Sequence, residues 1–141
     1  MSQAFTTQRM VEFADTDMAG IMHFASFFHY MESVEHEFIR SLGLSVYTQI
    51  DGRAISFPRV AAKCDFKSPA RCEDVLDAKL IITRLGRSSI TYQIDFSRDG
   101  LDVAAGAVTC VCCHIFHDRP PESTPLPQRF LDLLAPYLAD A

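Results

Sequence analysis

In this 141-residue chain, Asp15-Thr-Asp17-Met-Ala-Gly20-Ile-Met-His23-Phe24 is the stretch whose residue types could do chemistry. Two carboxylates a residue apart, a glycine and a histidine stand just ahead of a long amphipathic segment. Such a set could chelate calcium, move protons, or form a polar turn and nothing more. Calcium can be tested by position. Asp15, Asp17 and Gly20 match positions 1, 3 and 6 of an EF-hand loop, but Ala19 has no side-chain oxygen for position 5, and Ser26 stands where a bidentate glutamate belongs. What remains is an asymmetric pair. With Thr16 between them the carboxylates point in different directions, so one can brace the turn while the other enters a cleft. The loop also feeds a helix start, where unpaired N–H groups and the positive end of the helix dipole attract developing negative charge.

Cys110-Val-Cys112-Cys113-His114, with His117 nearby, superficially resembles a zinc cluster. Structural zinc sites space their cysteines by two to four residues, however, whereas these lie within a strand, and small buried thiols are ordinary core residues. His29 and His36 share one side of the helix without a visible third ligand. Glu32 lies on the same helix as a reserve acid. No Gly-x-Ser-x-Gly elbow occurs.

Periodicity gives the strands and helices around these residues. Thr6–Phe13 reads as a first strand. Phe27, Met31, Val34, Phe38 and Leu42 recur at helical spacing, with Ser26 as a possible N-cap and Gly43 as a left-handed stop. The period then changes to two. Ala62, Cys64 and Phe66, then Leu76, Ala78, Leu80 and Ile82, then Ile90, Tyr92, Ile94 and Phe96 each make one apolar strand face. Leu85-Gly86-Arg87 and Asp99-Gly100 are tight connections, the second a hairpin signal. Val103–Phe116, apolar on both faces, is expected to be a central strand buried twice. A proline-rich tail closes with a short helix over Arg129–Leu134, limited by Pro136. The resulting plan is α+β: one long helix wrapped by a five-stranded antiparallel sheet, with residues 1–141 as a single domain. One helix cannot cover both faces of such a sheet, which leaves room for a second subunit.

Composition limits the function. Apolar residues at 48% and charged ones at 22% make a globular chain able to build its own core. A formal charge of −5 argues against nucleic-acid binding, which needs a basic face. Ten of the 13 basic residues are arginines, compatible with gripping a small phosphorylated ligand. No apolar run reaches the roughly 18 residues of a membrane span, and no signal-peptide block opens the sequence, so the expected location is the cytoplasm. Five cysteines, an odd number, are expected to be free thiols there.

Val11-Glu-Phe-Ala-Asp15-Thr-Asp17-Met-Ala-Gly20-Ile-Met-His23-Phe-Ala-Ser-Phe27, continuing through Tyr30-Met-Glu32 to Phe38-Ile-Arg-Ser-Leu-Gly43-Leu44, resembles the 4-hydroxybenzoyl-CoA thioesterase family of hotdog proteins. The likeness is strong over about residues 6–45 and extends more thinly through Gly86-Arg-Ser-Ser89 to the final strand. It implies a hotdog fold, a homodimer or homotetramer, and hydrolysis of a coenzyme A thioester without metal or cofactor. On that resemblance Asp17 is the catalytic carboxylate. Gly20, His23 and Phe24 surround the thioester carbonyl, with a helix-start N–H near His23 or Phe24 polarising it. Arg87, Ser88 and Ser89 meet the CoA nucleotide, and residues near Ser56–Arg59 complete a neighbour's pocket. The chain departs from members with a histidine one place after His23, since Phe24 stands there.

A thioester carbonyl is already electrophilic, so one carboxylate can act as base on water or attack directly, with backbone N–H groups receiving the oxyanion. Two other readings fit the same fold: an enoyl-thioester hydratase, which would want an aspartate and histidine working as a pair, and a non-catalytic acyl-thioester binding protein.

Overall fold

The computed structural model describes residues 2–140. A strand β1 (Phe5–Met10) runs into a 3₁₀ turn at Phe13–Asp15, then the long helix α1 (Phe24–Ser41). Six strands follow: β2 (Thr48–Ile50), β3 (Arg53–Ser56), β4 (Arg59–Phe66), β5 (Val75–Leu85), β6 (Ser89–Arg98) and β7 (Leu101–Val111). Two short strands, β8 (Cys113–His114) and β9 (Glu122–Ser123), precede a closing helix α2 (Gln128–Leu134) and a final 3₁₀ turn (Ala135–Tyr137) that contains Pro136.

The helix forms because its apolar residues make one stripe: Phe27, Tyr30, Met31, Val34, Phe38 and Ile39 are buried at i, i+3, i+4 spacing. It starts earlier than the Ser26 cap expected from sequence. His23 is the N-cap, its Nδ1 accepting from the Ala25 N–H at 3.1 Å, while the Ser26 hydroxyl donates to the Asp15 carbonyl. The C-terminus is a Schellman motif. Gly43, at φ +75°, donates to Arg40 O, and Leu44 donates to Ile39 O.

The main sheet has the order β1-β5-β6-β7-β4, antiparallel throughout, and α1 lies across one face. The Phe27 ring meets Phe66 and Phe96, and Phe38 meets Tyr92 and Tyr137. Gly106 of β7 leaves room for Met31, since a Cβ there would lie 2.6 Å from the thioether sulfur. Phe38, Leu80 and Ile94 are fully buried at this interface, each contributing about 1.5–3 kcal/mol relative to exposure. The β6–β7 hairpin turns at Asp99-Gly100, with φ +50° and +81°, as the sequence predicts.

The structure revises four expectations. β1 ends at Met10, three residues short of Phe13, because the chain turns into the 3₁₀ segment. Val103–Phe116 is not one strand. β7 stops at Val111, and Cys113–His114 joins β2, β3 and β9 in a second small sheet that the periodicity did not reveal. β7 is also fully buried on one face alone, because the described residues only partly cover Ala105, Ala107, Thr109 and Val111 on the other, which are half-buried. Finally β4 is an edge strand. Its expected inner face is covered at Cys64 but not at Phe66, which is 51% exposed. Among the described residues no helix is long and apolar enough to cross a membrane.

Candidate active site

The two loop carboxylates have separate surroundings. Asp15 closes the 3₁₀ turn: its Oδ2 accepts from the Glu12 N–H at 3.1 Å and from the Tyr30 hydroxyl at 2.5 Å. Burial, and then the Asp15 carboxylate beside it, raise the Tyr30 phenol well above its ordinary range, so it stays a donor. Asp15 is a brace that ties the loop to the middle of α1. Asp17 sits on the exposed side of a tight turn in which its N–H donates to Ile21 O and the Gly20 N–H donates to Asp17 O. Gly20 adopts φ +77° there. Asp17 Oδ1 accepts from the Ala19 N–H at 2.9 Å and, more loosely, from Ile21 N–H at 3.5 Å. Its Oδ2 has no donor among the described residues.

Beside this carboxylate opens a cavity of about 480 Å³. Its walls are largely apolar: Met22, Phe24 and Phe27 from the helix side, Phe66, Pro69 and Ala70 from the strand side. Lys67 and Ser68 also reach it, residues the sequence reading did not single out. Phe24 is 62% exposed for so large an apolar side chain.

The residues expected around a thioester carbonyl divide once their hydrogen bonds are followed. The Gly20 N–H is spent on Asp17 O, so Gly20 serves the left-handed turn rather than a substrate oxygen. The His23 N–H is spent on Asp15 O, and its ring nitrogen caps the helix while stacking on Phe24 at 4.7 Å. The Ala25 and Ser26 N–H groups bond to the His23 side chain and carbonyl. The Phe24 N–H alone in this first turn has no acceptor among the described residues.

Arg87, Ser88 and Ser89 are not brought to this cavity within one chain. They form the β5–β6 turn, at the far end of β5 from Val75, which pairs with Met10 next to the loop. The 11 residues of β5 span about 30 Å between the two ends. The turn itself is tight, because a side chain on Gly86 would strike the Ser89 hydroxyl, and its carbonyls hold Leu126 and Cys112.

One pair was missed. Glu35 lies on the apolar stripe of α1, 3% exposed, and takes a two-pronged bond from Arg59 at 2.9 and 2.5 Å. Burial weakens the guanidinium's charge, but the bonds to Glu35 outweigh it and hold Arg59 firmly protonated. A glutamate at a stripe position was the available signal. The cysteines behave as core: Cys110, Cys112 and Cys113 are buried, although strand alternation breaks at Cys112. Among the described residues no group of His, Cys, Asp and Glu is arranged to hold a metal ion.

Residues 19–105 match the family model described as the thioesterase superfamily. The chain belongs to the thioesterase superfamily. It is a hotdog thioester hydrolase, and the helix and five-stranded sheet above are that fold. A 1,4-dihydroxy-2-naphthoyl-CoA hydrolase of Synechococcus elongatus is 29% identical over 128 residues, covering 90% of this chain and 92% of the relative. One from Synechocystis is 31% identical over 125 residues, covering 88% and 89%. Among solved structures, a 1,4-dihydroxy-2-naphthoyl-CoA thioesterase from Synechocystis superposes with a TM-score of 0.84 at 27% identity, covering 94% of this chain and 96% of that one. A gentisyl-coenzyme A thioesterase superposes at 0.81 with 27% identity, covering 92% and 99%.

Proposed function

We propose that this thioesterase-superfamily chain hydrolyses acyl- or aroyl-CoA thioesters, with Asp17 as the catalytic carboxylate. The observation that carries the reading is the half-committed carboxylate of Asp17: one oxygen is held by its own loop, the other is free at the mouth of an apolar cavity. Asp17 takes a proton from water as the water oxygen adds to the thioester carbonyl. The tetrahedral oxyanion is met by the Phe24 N–H at the start of α1, where the helix dipole favours negative charge. The C–S bond then breaks, and the proton goes to the departing sulfur to give a carboxylic acid and free CoA. Direct attack by Asp17, giving a mixed anhydride that water opens, uses the same atoms.

The CoA nucleotide belongs to Arg87, Ser88 and Ser89. Since about 30 Å of strand lies between them and the Val75–Met10 end of the sheet from which the Asp17 loop departs, the working unit is a homodimer or homotetramer in which these residues come from a partner subunit. The unpaired β4 edge and the half-covered outer face of β7 support such an assembly. Free thiols fit a reducing, cytoplasmic setting. The names of the relatives favour an aroyl thioester over a simple fatty one.

Release of free thiol from a panel of acyl- and aroyl-CoA esters tests the assignment. Asp17→Asn should lower kcat by about 10²–10⁴, the usual contribution of a positioned acid or base. Retention of most of the activity would remove Asp17 from its role.

A further inference from the structure

The Asp17 loop is a small ladder standing on the start of α1. Its base rung is Asp15, whose carbonyl accepts from the His23 N–H at 2.8 Å. Above that rung Thr16 bridges Met22, and the Asp17 N–H donates to Ile21 O at 2.9 Å. Asp17 therefore sits two residues up one limb. Phe24, whose N–H is left without an acceptor in the first helical turn, follows the base of the other limb. How these two groups lie relative to each other is decided at the Asp15–His23 rung.

That rung is held from the helix. The Ser26 hydroxyl donates to the same Asp15 carbonyl at 3.1 Å. Tyr30, six residues and about 9 Å along α1 from Phe24, reaches the Asp15 carboxylate. Its one hydroxyl proton is shared between Asp15 Oδ2 at 2.5 Å and the Met10 carbonyl at 3.0 Å. A single oxygen thus joins the end of β1, the loop and the body of the helix. The Tyr30 ring is 9% exposed and lies edge-on to Phe96, 6.4 Å between centroids, so it has little freedom to follow a moving loop. The two limbs are anchored differently. The Met22 N–H ties the Phe24 limb to Ala70 O on the cavity wall. The Asp17 limb is carried by Asp15 and the 3₁₀ turn behind it, where the Glu12 N–H and the Tyr30 hydroxyl meet on one carboxylate oxygen.

We propose that Tyr30, acting through Asp15, is a positioning residue for the hydrolysis: it fixes the Asp17 carboxylate against the Phe24 N–H, so that base and oxyanion donor address one thioester carbonyl. This role rests on the assignment of Asp17 and the Phe24 N–H above. Positioning acts on the transition state, where a displacement of about 1 Å can cost on the order of 10²-fold in rate. The apolar walls that take the acyl group do not depend on the phenol. Losing the tie should therefore lower kcat and leave KM nearly unmoved.

Steady-state kinetics on a panel of aroyl-CoA thioesters provide the test. Tyr30→Phe, which removes one oxygen, should lower kcat about tenfold with KM within about twofold. Asp15→Ala should lower kcat at least as far, and adding Tyr30→Phe to it should cost nothing further, because the phenol acts through that carboxylate. Asp15→Asn, which keeps an acceptor for the phenol, should retain more of the rate than Asp15→Ala. Gly43→Ala, at the other end of α1, supplies a variant weakened in stability alone and should keep the wild-type kcat. Equal kcat losses for Tyr30→Phe in the wild-type and Asp15→Ala backgrounds, a loss carried by KM, or a comparable kcat loss in Gly43→Ala each overturns the proposal. Infrared spectra of benzoyl-CoA bound to Asp17→Asn protein read the same geometry without turnover. A bond from the Phe24 N–H lowers the carbonyl frequency, and Tyr30→Phe should remove part of that displacement; an undiminished displacement overturns the proposal even where Asp15→Ala fails to fold. A wild type that hydrolyses none of the panel removes the hydrolase reading, and the carbonyl band then decides the role of Tyr30 by itself.

Discussion

Two carboxylates a residue apart end in different chemical states because their neighbours differ. Asp15 is consumed by Glu12 and Tyr30, whereas Asp17 is braced on one oxygen and open on the other. Glu35 marks the opposite extreme, a buried charge tolerated because Arg59 answers both oxygens. Glu35→Ala should destabilise the fold by about 3 kcal/mol, the low end for breaking a buried pair, since Glu32 remains beside the guanidinium. Replacing both partners, Glu35→Leu with Arg59→Met, should cost much less; urea unfolding of the two variants checks the ordering. Asp74 carries a pH effect. The Arg71 N–H and then the Arg98 guanidinium hold its carboxyl below the ordinary 3.8. A lowered folded value means this stability is present above about pH 4 and disappears as pH falls through the folded value. Asp74→Asn should therefore weaken the protein at neutral pH and converge with wild type in acid, read from denaturation midpoints across that range.

Element boundaries follow from backbone geometry more than from side-chain type. At the C-terminus of α1, Gly43 adopts a left-handed conformation so that two trailing N–H groups can reach back to Arg40 and Ile39. Gly43→Ala keeps those bonds only by forcing an L-residue into that region and should cost about 1–2 kcal/mol, seen as a lower Tm with unchanged thioester specificity. At the other end the sequence offered Ser26 as a cap, but the chain used His23, because the β-bridge between Thr16 and Met22 delivers the backbone to the helix three residues sooner. Asp51-Gly52 and Asp99-Gly100 both turn hairpins with positive φ at each residue. The second was readable from the long alternating strands around it. The first was not, since β2 and β3 are three and four residues long.

For the molecule as a whole, α1 covers one face of the main sheet except at the β4 edge, where Phe66 stays exposed, and the other face is half-covered along β7. Cys110 on the covered side of β7, Cys112 in the break after it and Cys113 in β8 are all buried, and burial pushes the Cys110 thiol up to about 12 and Cys112 to about 11. Thiolate is the reactive form, so alkylation of the native protein should modify exposed Cys72 first and leave those three intact until denaturant is added. Mass spectrometry of the labelled peptides gives the answer, and fast labelling of Cys110 in native protein would contradict the packing described.

Periodicity made the central plan legible before any coordinates: a stripe at 3.6 means one helix, alternation at 2 means one-sided strands, and together they require a sheet wrapped around a helix. Local chemistry also made the two aspartates an asymmetric pair, the family resemblance pointed to Asp17 as the catalytic one, and Ala19 and Ser26 argued against calcium. Tertiary structure decided what depends on distant partners. It broke Val103–Phe116 into β7 and β8, where the chain leaves the main sheet at Cys112 so that Cys113 and His114 can join the second. It assigned Glu35 to Arg59 across 24 residues, and it set Arg87–Ser89 at the opposite end of β5 from Asp17. Hydrophobic spacing reports which face a residue occupies within its own element, but which side chain meets it there is decided by the approach of another element, and sequence separation carries no record of that distance.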